Sequence, residues 1–174
     1  MAKLADDEFE LELKFVGVEY YGECSEVYFE LDFFVNGKSA INKDILKRDR
    51  FFCYFLLEEK YNLITAFKSA ISDKKPVIWE AFPDPDMCIS IYPNRLFPDL
   101  QREFENHYTI IFSPNTPNYA NIDAYGLYEG ISFIMSPLTK EFIKFVQDLE
   151  KEYNEFINSP NSLGEFELLS LHLR

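Results

Sequence analysis

A chain of 174 residues that is 47% hydrophobic has the length of one domain, residues 1–174, with apolar side chain enough for a core that needs no staples. Its formal charge of −13 is spread along the chain rather than gathered in a tail. That field excludes the phosphate-neutralising surface of a nucleic-acid binder and steers basic partners toward the protein, although solubility alone is the plainer reading of it.

Residues 8–15, "EFELELKF", alternate strictly, with Phe9, Leu11, Leu13 and Phe15 on one face and Glu8, Glu10, Glu12 and Lys14 on the other. This is the pattern of a half-buried strand. At "FVGVEY" the apolar parity moves to Val16, Val18 and Tyr20 beside Gly17, the mark of a β-bulge. "VYFELDFFV" then points Val27, Phe29, Leu31, Phe33 and Val35 inward, and Asn36-Gly37 supplies the positive-φ pair of a tight hairpin. A short third strand is expected around Ser39 to Asn42.

From Asp49, a capping residue, the period reads as helical. Phe52, Phe55, Leu56, Leu63, Phe67, Ala70 and Ile71 share a stripe until "SDKKP" stops it. "VIWEAF" and "MCISIY" follow as two strands of a hairpin, joined by "PDPD", whose prolines force a turn and leave Asp84 and Asp86 exposed. After a polar stretch from Pro93 to Asn106, "HYTIIFS" alternates with Tyr108, Ile110 and Phe112, and "YEGISFIMS" adds Ile131, Phe133 and Met135. Ser136-Pro137 reads as a cap followed by proline at the first helical position. Leu138, Phe142, Phe145, Val146, Leu149, Tyr153 and Phe156 then recur at helical spacing until "NSPNS". The tail "EFELLSLHL" fits neither period. The order strands, helix, strands, helix, with 18 Phe and 11 Tyr favouring pleated surfaces, predicts an α+β fold. We expect a mostly antiparallel twisted sheet or small sandwich with two amphipathic helices packed on it.

The chemistry is sparse. Only His107 and His172 are present, too far apart in the chain for a paired-histidine metal motif, and six scattered glycines build no phosphate-cradling loop. Cys24, Cys53 and Cys88 lie in apolar runs, where a thiol behaves as a small hydrophobe; three such residues make no disulfide framework. Among 30 Asp and Glu, pairs able to hydrolyse a glycoside arise by chance, so none is singled out. Asp84 and Asp86 in "DPDMCIS" resemble a fragment of a calcium loop but lack its glycine and distal glutamate, so a hairpin turn is the better reading. Trp79 shares the parity of Val77 and Ala81 and reads as core. No cofactor is expected. Neither a signal-peptide pattern nor an apolar run near the ~18 residues of a membrane span is present, so a cytoplasmic protein without membrane contact is expected.

One stretch has the composition of a recognition loop. "NTPNYANIDAYGLYEG", residues 115–130, sets Tyr119, Tyr125 and Tyr128 among Asn, Asp123 and Glu129 with no Lys or Arg. Tyrosine gives large contact area at low entropic cost and asparagine gives adaptable hydrogen bonds; the alternative is a polar connection with its rings flat on the sheet rim. Partner contact is expected through Tyr119, Asp123, Tyr125, Tyr128 and Glu129, with Asp84 and Asp86 as a second patch.

"PVIWEAFPDPDMCISIYP" and "GISFIMSPLTKEFIKFVQDLEKEYNEF", taken with the alternating N-terminal strands and the middle helix, resemble the bacterial immunity proteins of polymorphic toxin systems, in particular the WapI type. The resemblance is a pattern over most of the chain, from which residues 93–128 depart, and no binding residue carries over by motif. It implies a cytosolic protein without catalysis of its own that binds and blocks a cognate toxin, often a nuclease. A nuclease holds phosphates with Lys and Arg, and a carboxylate-rich inhibitor suits such a basic protein partner. The rival expectation is a small-molecule or carbohydrate-binding β-rich domain, with tyrosines stacked on the ligand.

Overall fold

The computed structural model describes residues 1–7, 9–21, 24–40, 51–81, 87–93, 106–114 and 132–159. The described elements, in order, are β1 (Ala2–Ala5), β2 (Phe9–Tyr21), β3 (Cys24–Val35), β4 (Lys38–Ser39) and β5 (Phe51–Leu56), then a 3₁₀ turn (Glu59–Tyr61) and α1 (Leu63–Asp73). They continue with β6 (Val77–Glu80), β7 (Met87–Pro93), β8 (Tyr108–Pro114), β9 (Phe133–Met135) and α2 (Thr139–Ile157). Strands β1 to β3 pair in sequence as sheet A, with β4 and β5 both on the far side of β3; β6 to β9 pair in sequence as sheet B. Every described ladder is antiparallel. The protein is therefore an α+β fold of two antiparallel sheets with two described helices packed against them.

The β2–β3 ladder runs in register from Phe9↔Val35 to Phe15↔Phe29, then resumes at Gly17↔Tyr28, so Val16 is the extra residue of a bulge. That re-phasing brings Val18 opposite Val27, both buried, and is why the apolar parity changes at Gly17. Asn36 and Gly37 have φ of 50° and 73°, the pair of left-handed residues that closes a two-residue hairpin onto β4. The third strand is shorter than expected, Lys38–Ser39, and Asn42 lies outside the described residues.

Two expectations are corrected. Residues 51–56, read as the first turns of a helix, form β5, which pairs with residues 26–31 of β3. The apolar run "FFCYFL" satisfies either period, and the open side of β3 decides: Cys53 and Phe55 turn inward with period two. The helix starts instead at Leu63, where the Asn62 carboxamide oxygen accepts from the N–H groups of Ile64 (2.9 Å) and Thr65 (3.3 Å). It ends at Lys74, in the left-handed conformation. The second correction is the start of α2, at Thr139 rather than at Ser136-Pro137. Residues 137–139 are held as an extension of sheet pairing, with Tyr108 N–H on the Pro137 carbonyl (3.0 Å), Thr139 N–H on the Asn106 carbonyl (2.6 Å) and a bridge from His107 to Leu138. Ser136 does not cap; its N–H donates to the Asp6 carboxylate (2.9 Å).

The inner faces of the sheets meet directly where Phe33 stacks on Phe133 (centroids 4.0 Å), stands edge-on to Phe112 (5.3 Å), and Phe29 approaches Trp79 (6.3 Å). Elsewhere the helices fill the space between them. α1 packs on β6 and β7, α2 on β1 and β2, and the helices on each other through Phe67 with Phe142 (5.8 Å) and Phe145 (5.9 Å). Phe29, Phe33, Phe55, Phe67, Phe112 and Phe142 are fully buried, each contributing about 2–3 kcal/mol by removal from water. Trp79 is core, as its parity implies, with its indole N–H on the Tyr61 carbonyl (2.9 Å). Both sheets and both helices contribute to one continuous apolar cluster.

Candidate partner-binding surface

The seven residues expected to contact a partner, Tyr119, Asp123, Tyr125, Tyr128, Glu129, Asp84 and Asp86, lie outside the described residues. Their described flanks do meet. Met87, which follows the Asp84 and Asp86 segment, is the ladder partner of Pro114, which precedes the 115–130 stretch, and the Ala81 N–H donates to the Met87 carbonyl (3.0 Å). Both segments therefore leave sheet B at the same end. His172 and the Cys24 side chain are likewise outside the described residues, whereas Cys53 and Cys88 are buried as expected. Burial raises the Cys88 thiol pKa, with the Glu80 charge adding to it, so the thiol stays protonated and unreactive at neutral pH.

A charged surface lies on the outer face of sheet A. The period of two that sends Leu11, Leu13, Leu31 and Phe33 into the core sends Glu10, Glu12, Lys14, Glu30 and Asp32 to the outer face of sheet A. The bulge in β2 turns Glu19 to that face, where Glu26 stands by the parity of β3. The register sets like charges directly opposite, Glu12↔Asp32 and Glu19↔Glu26, with one complementary pair, Lys14↔Glu30. Opposed carboxylates repel, and each pair is relieved in its own way. Lys3 on β1 reaches both Glu10 (3.1 Å) and Glu12. These two hydrogen bonds, that to Glu12 first, raise the Lys3 pKa. Asp32, buried to 7% exposure, accepts from the Ser39 hydroxyl (3.0 Å).

The Glu19↔Glu26 pair is served by Tyr28, whose hydroxyl donates to Glu26 Oε2 (2.5 Å) and lies 3.4 Å from Glu19 Oε2. Burial first, and the two carboxylates after it, push the Tyr28 phenol well above its ordinary pKa, so it is a permanent donor. Its ring is tilted against Tyr54 of β5 (5.5 Å). This arrangement presents carboxylates and aromatic rings on one rigid sheet, a chemistry that receives ammonium and guanidinium groups. The parity of Glu10, Glu12, Glu30 and Asp32 is visible in the chain, but that the hairpin sets acids against acids depends on register. Register was the missing signal.

Among the described residues no group of His, Cys, Asp and Glu is disposed to hold a metal ion, and no described helix is long and apolar enough to cross a membrane. Comparison with protein-family models, with curated proteins and with solved structures finds no match.

Proposed function

We propose that this chain is a non-enzymatic binding protein that engages and neutralises a basic cognate protein, in the manner of an immunity protein acting on a toxin, with a nuclease as the toxin class its charge suits best. The observation that carries this reading is the outer face of sheet A, where Glu12↔Asp32 and Glu19↔Glu26 stand directly opposite one another. Like-charge pairs lower the stability of a free sheet. Lys3, Ser39 and Tyr28 ease these contacts within the chain, and the partly exposed Glu10, Glu19, Glu26 and Glu30 on the same face suit Lys or Arg of a partner, which speeds association and selects against acidic competitors. The net charge of −13 works in the same direction.

The test is a pull-down from source cells with the chain tagged at its C-terminus, washed at low and then high salt. One basic protein in near-stoichiometric yield is expected, released at about 0.5 M salt where the Debye length falls to a few ångströms. A Glu19→Lys/Glu26→Lys variant should recover at least about tenfold less of it, a loss of some 1.4 kcal/mol. Expression of the captured protein alone should arrest growth, and co-expression of this chain should relieve the arrest. An empty pull-down, or capture that high salt does not affect, overturns the reading.

A further inference from the structure

A groove of about 680 Å³ runs between β1 and α2. It is lined from β1 by Ala2, Lys3 and Ala5 and from the other side by α2, and no residue of β2 contributes, so it follows the side of β1 that faces away from the rest of sheet A. Among the described residues β1 pairs on one side only, with β2. The second side of a strand is a row of backbone donors and acceptors ready for another chain. A charged side chain at such an edge usually discourages pairing, but Lys3 is turned onto the sheet face by Glu10 and Glu12.

Its apolar lining residues are Ala2, Ala5, Leu138 and Phe145, of which Ala2 and Phe145 are almost fully buried, and charged residues outnumber them. Two of its cations are taken up within the wall: the Met1 amino group pairs with Glu152, and Lys151 with Glu155 (3.9 Å). Asp7, Glu141 and Asp148 enter no ion pair among the described residues, and Lys144 is the lining cation of α2 besides Lys151. A strand edge and a surplus of carboxylates define the occupant by its chemistry.

We propose that this groove receives an extended, lysine- or arginine-bearing segment of the partner, which adds to β1 as a further strand of sheet A. The four residues of β1 offer about 13 Å of strand edge. Main-chain hydrogen bonds along that edge supply the attachment, and cationic side chains meet Asp7, Glu141 and Asp148. The inference deepens the basic-partner reading above and rests on it.

The test is an amide-shift titration of the full-length ¹⁵N-labelled chain, tagged at its C-terminus, with a capped heptapeptide of alternating valine and lysine. One control replaces lysine by glutamate, and another carries N-methyl groups on alternate peptide nitrogens, which blocks strand pairing and leaves the charge unchanged. Shifts are expected at residues 2–5 and 141–155, with each control binding at least about tenfold more weakly. The surface variant Asp148→Lys should weaken the valine–lysine peptide about fivefold with an unchanged melting midpoint. Equal binding of the N-methylated peptide, or no shifts, overturns the proposal. So do shifts confined to the outer face of sheet A, an outcome that leaves the basic-partner reading standing; that reading fails separately, in the pull-down.

Discussion

At Tyr28 a single hydroxyl serves two carboxylates that the sheet has placed opposite each other. Removing it takes a charge-assisted hydrogen bond from Glu26 and a longer contact from Glu19. Tyr28→Phe should therefore lower stability by about 1–2 kcal/mol at pH 7, read as a fall in the urea midpoint with an unchanged slope; an unchanged midpoint would show that water replaces the phenol without cost. The position also marks the limit of legibility for a single residue. Tyr28 lies on the parity opposite to Val27 and Phe29 and reads as an outward, wet tyrosine, yet it is only 8% exposed. Its environment comes from β5, a strand that the chain's local pattern disguises as helix.

Among the elements, α1 depends on one residue that precedes it. Asn62 uses its carboxamide oxygen on two helix N–H groups, while its amide nitrogen donates to the Tyr153 hydroxyl of α2 (3.2 Å). It thus caps one helix and fastens it to the other. Asn62→Ala should cost about 2 kcal/mol, the upper end of cap losses, because the half-buried Tyr153 hydroxyl loses a partner as well. Asn62→Asp, which keeps the cap and loses only the donor, should recover about half of that, and equal losses for both variants would remove the cap from the account. Elements with a strict period and clear punctuation were legible: β2 with its bulge at Gly17, β3 with its Asn36-Gly37 turn, the β6–β7 hairpin, β8, and the apolar stripe of α2. β1 was not, because "AKLA" is too short to establish a period. β5 was not, because Phe52, Phe55 and Leu56 fall at helical spacing, and only the availability of β3 makes the extended form better. The cap of α2 was misplaced for a related reason: Ser136-Pro137 has the right chemistry, but pairing of residues 137–139 with the segment before β8 keeps the chain extended to Leu138.

For the molecule as a whole, four groups agree in one direction. The pKa values of Tyr28, Tyr108, Tyr153 and Cys88 are all raised, by burial first in every case. The folded chain therefore holds these protons more tightly than the unfolded one. Their contribution to stability is complete below the unfolded values and is lost as pH rises past about 8.5 for the thiol and 10 for the phenols. The urea midpoint should be level from about pH 6 to 8 and fall steeply between about pH 9 and 11; a level profile through pH 11 would contradict the burial of these groups. The candidate surface was legible at this scale only as a net charge, since it took the pairing of β2 with β3 to set Glu12 against Asp32 and Glu19 against Glu26. The same ladder has a consequence for changes in chain length. Because Phe15↔Phe29 and Gly17↔Tyr28 already bracket Val16 as consecutive partners, Val16 is the one residue of that ladder whose loss leaves every neighbour facing as it did. Loss of any residue from Glu10 to Lys14 exchanges inside for outside along the remainder of its side of the strand. In a lineage that gains and loses single codons, β2 tolerates a change of length at the bulge and resists it on either side.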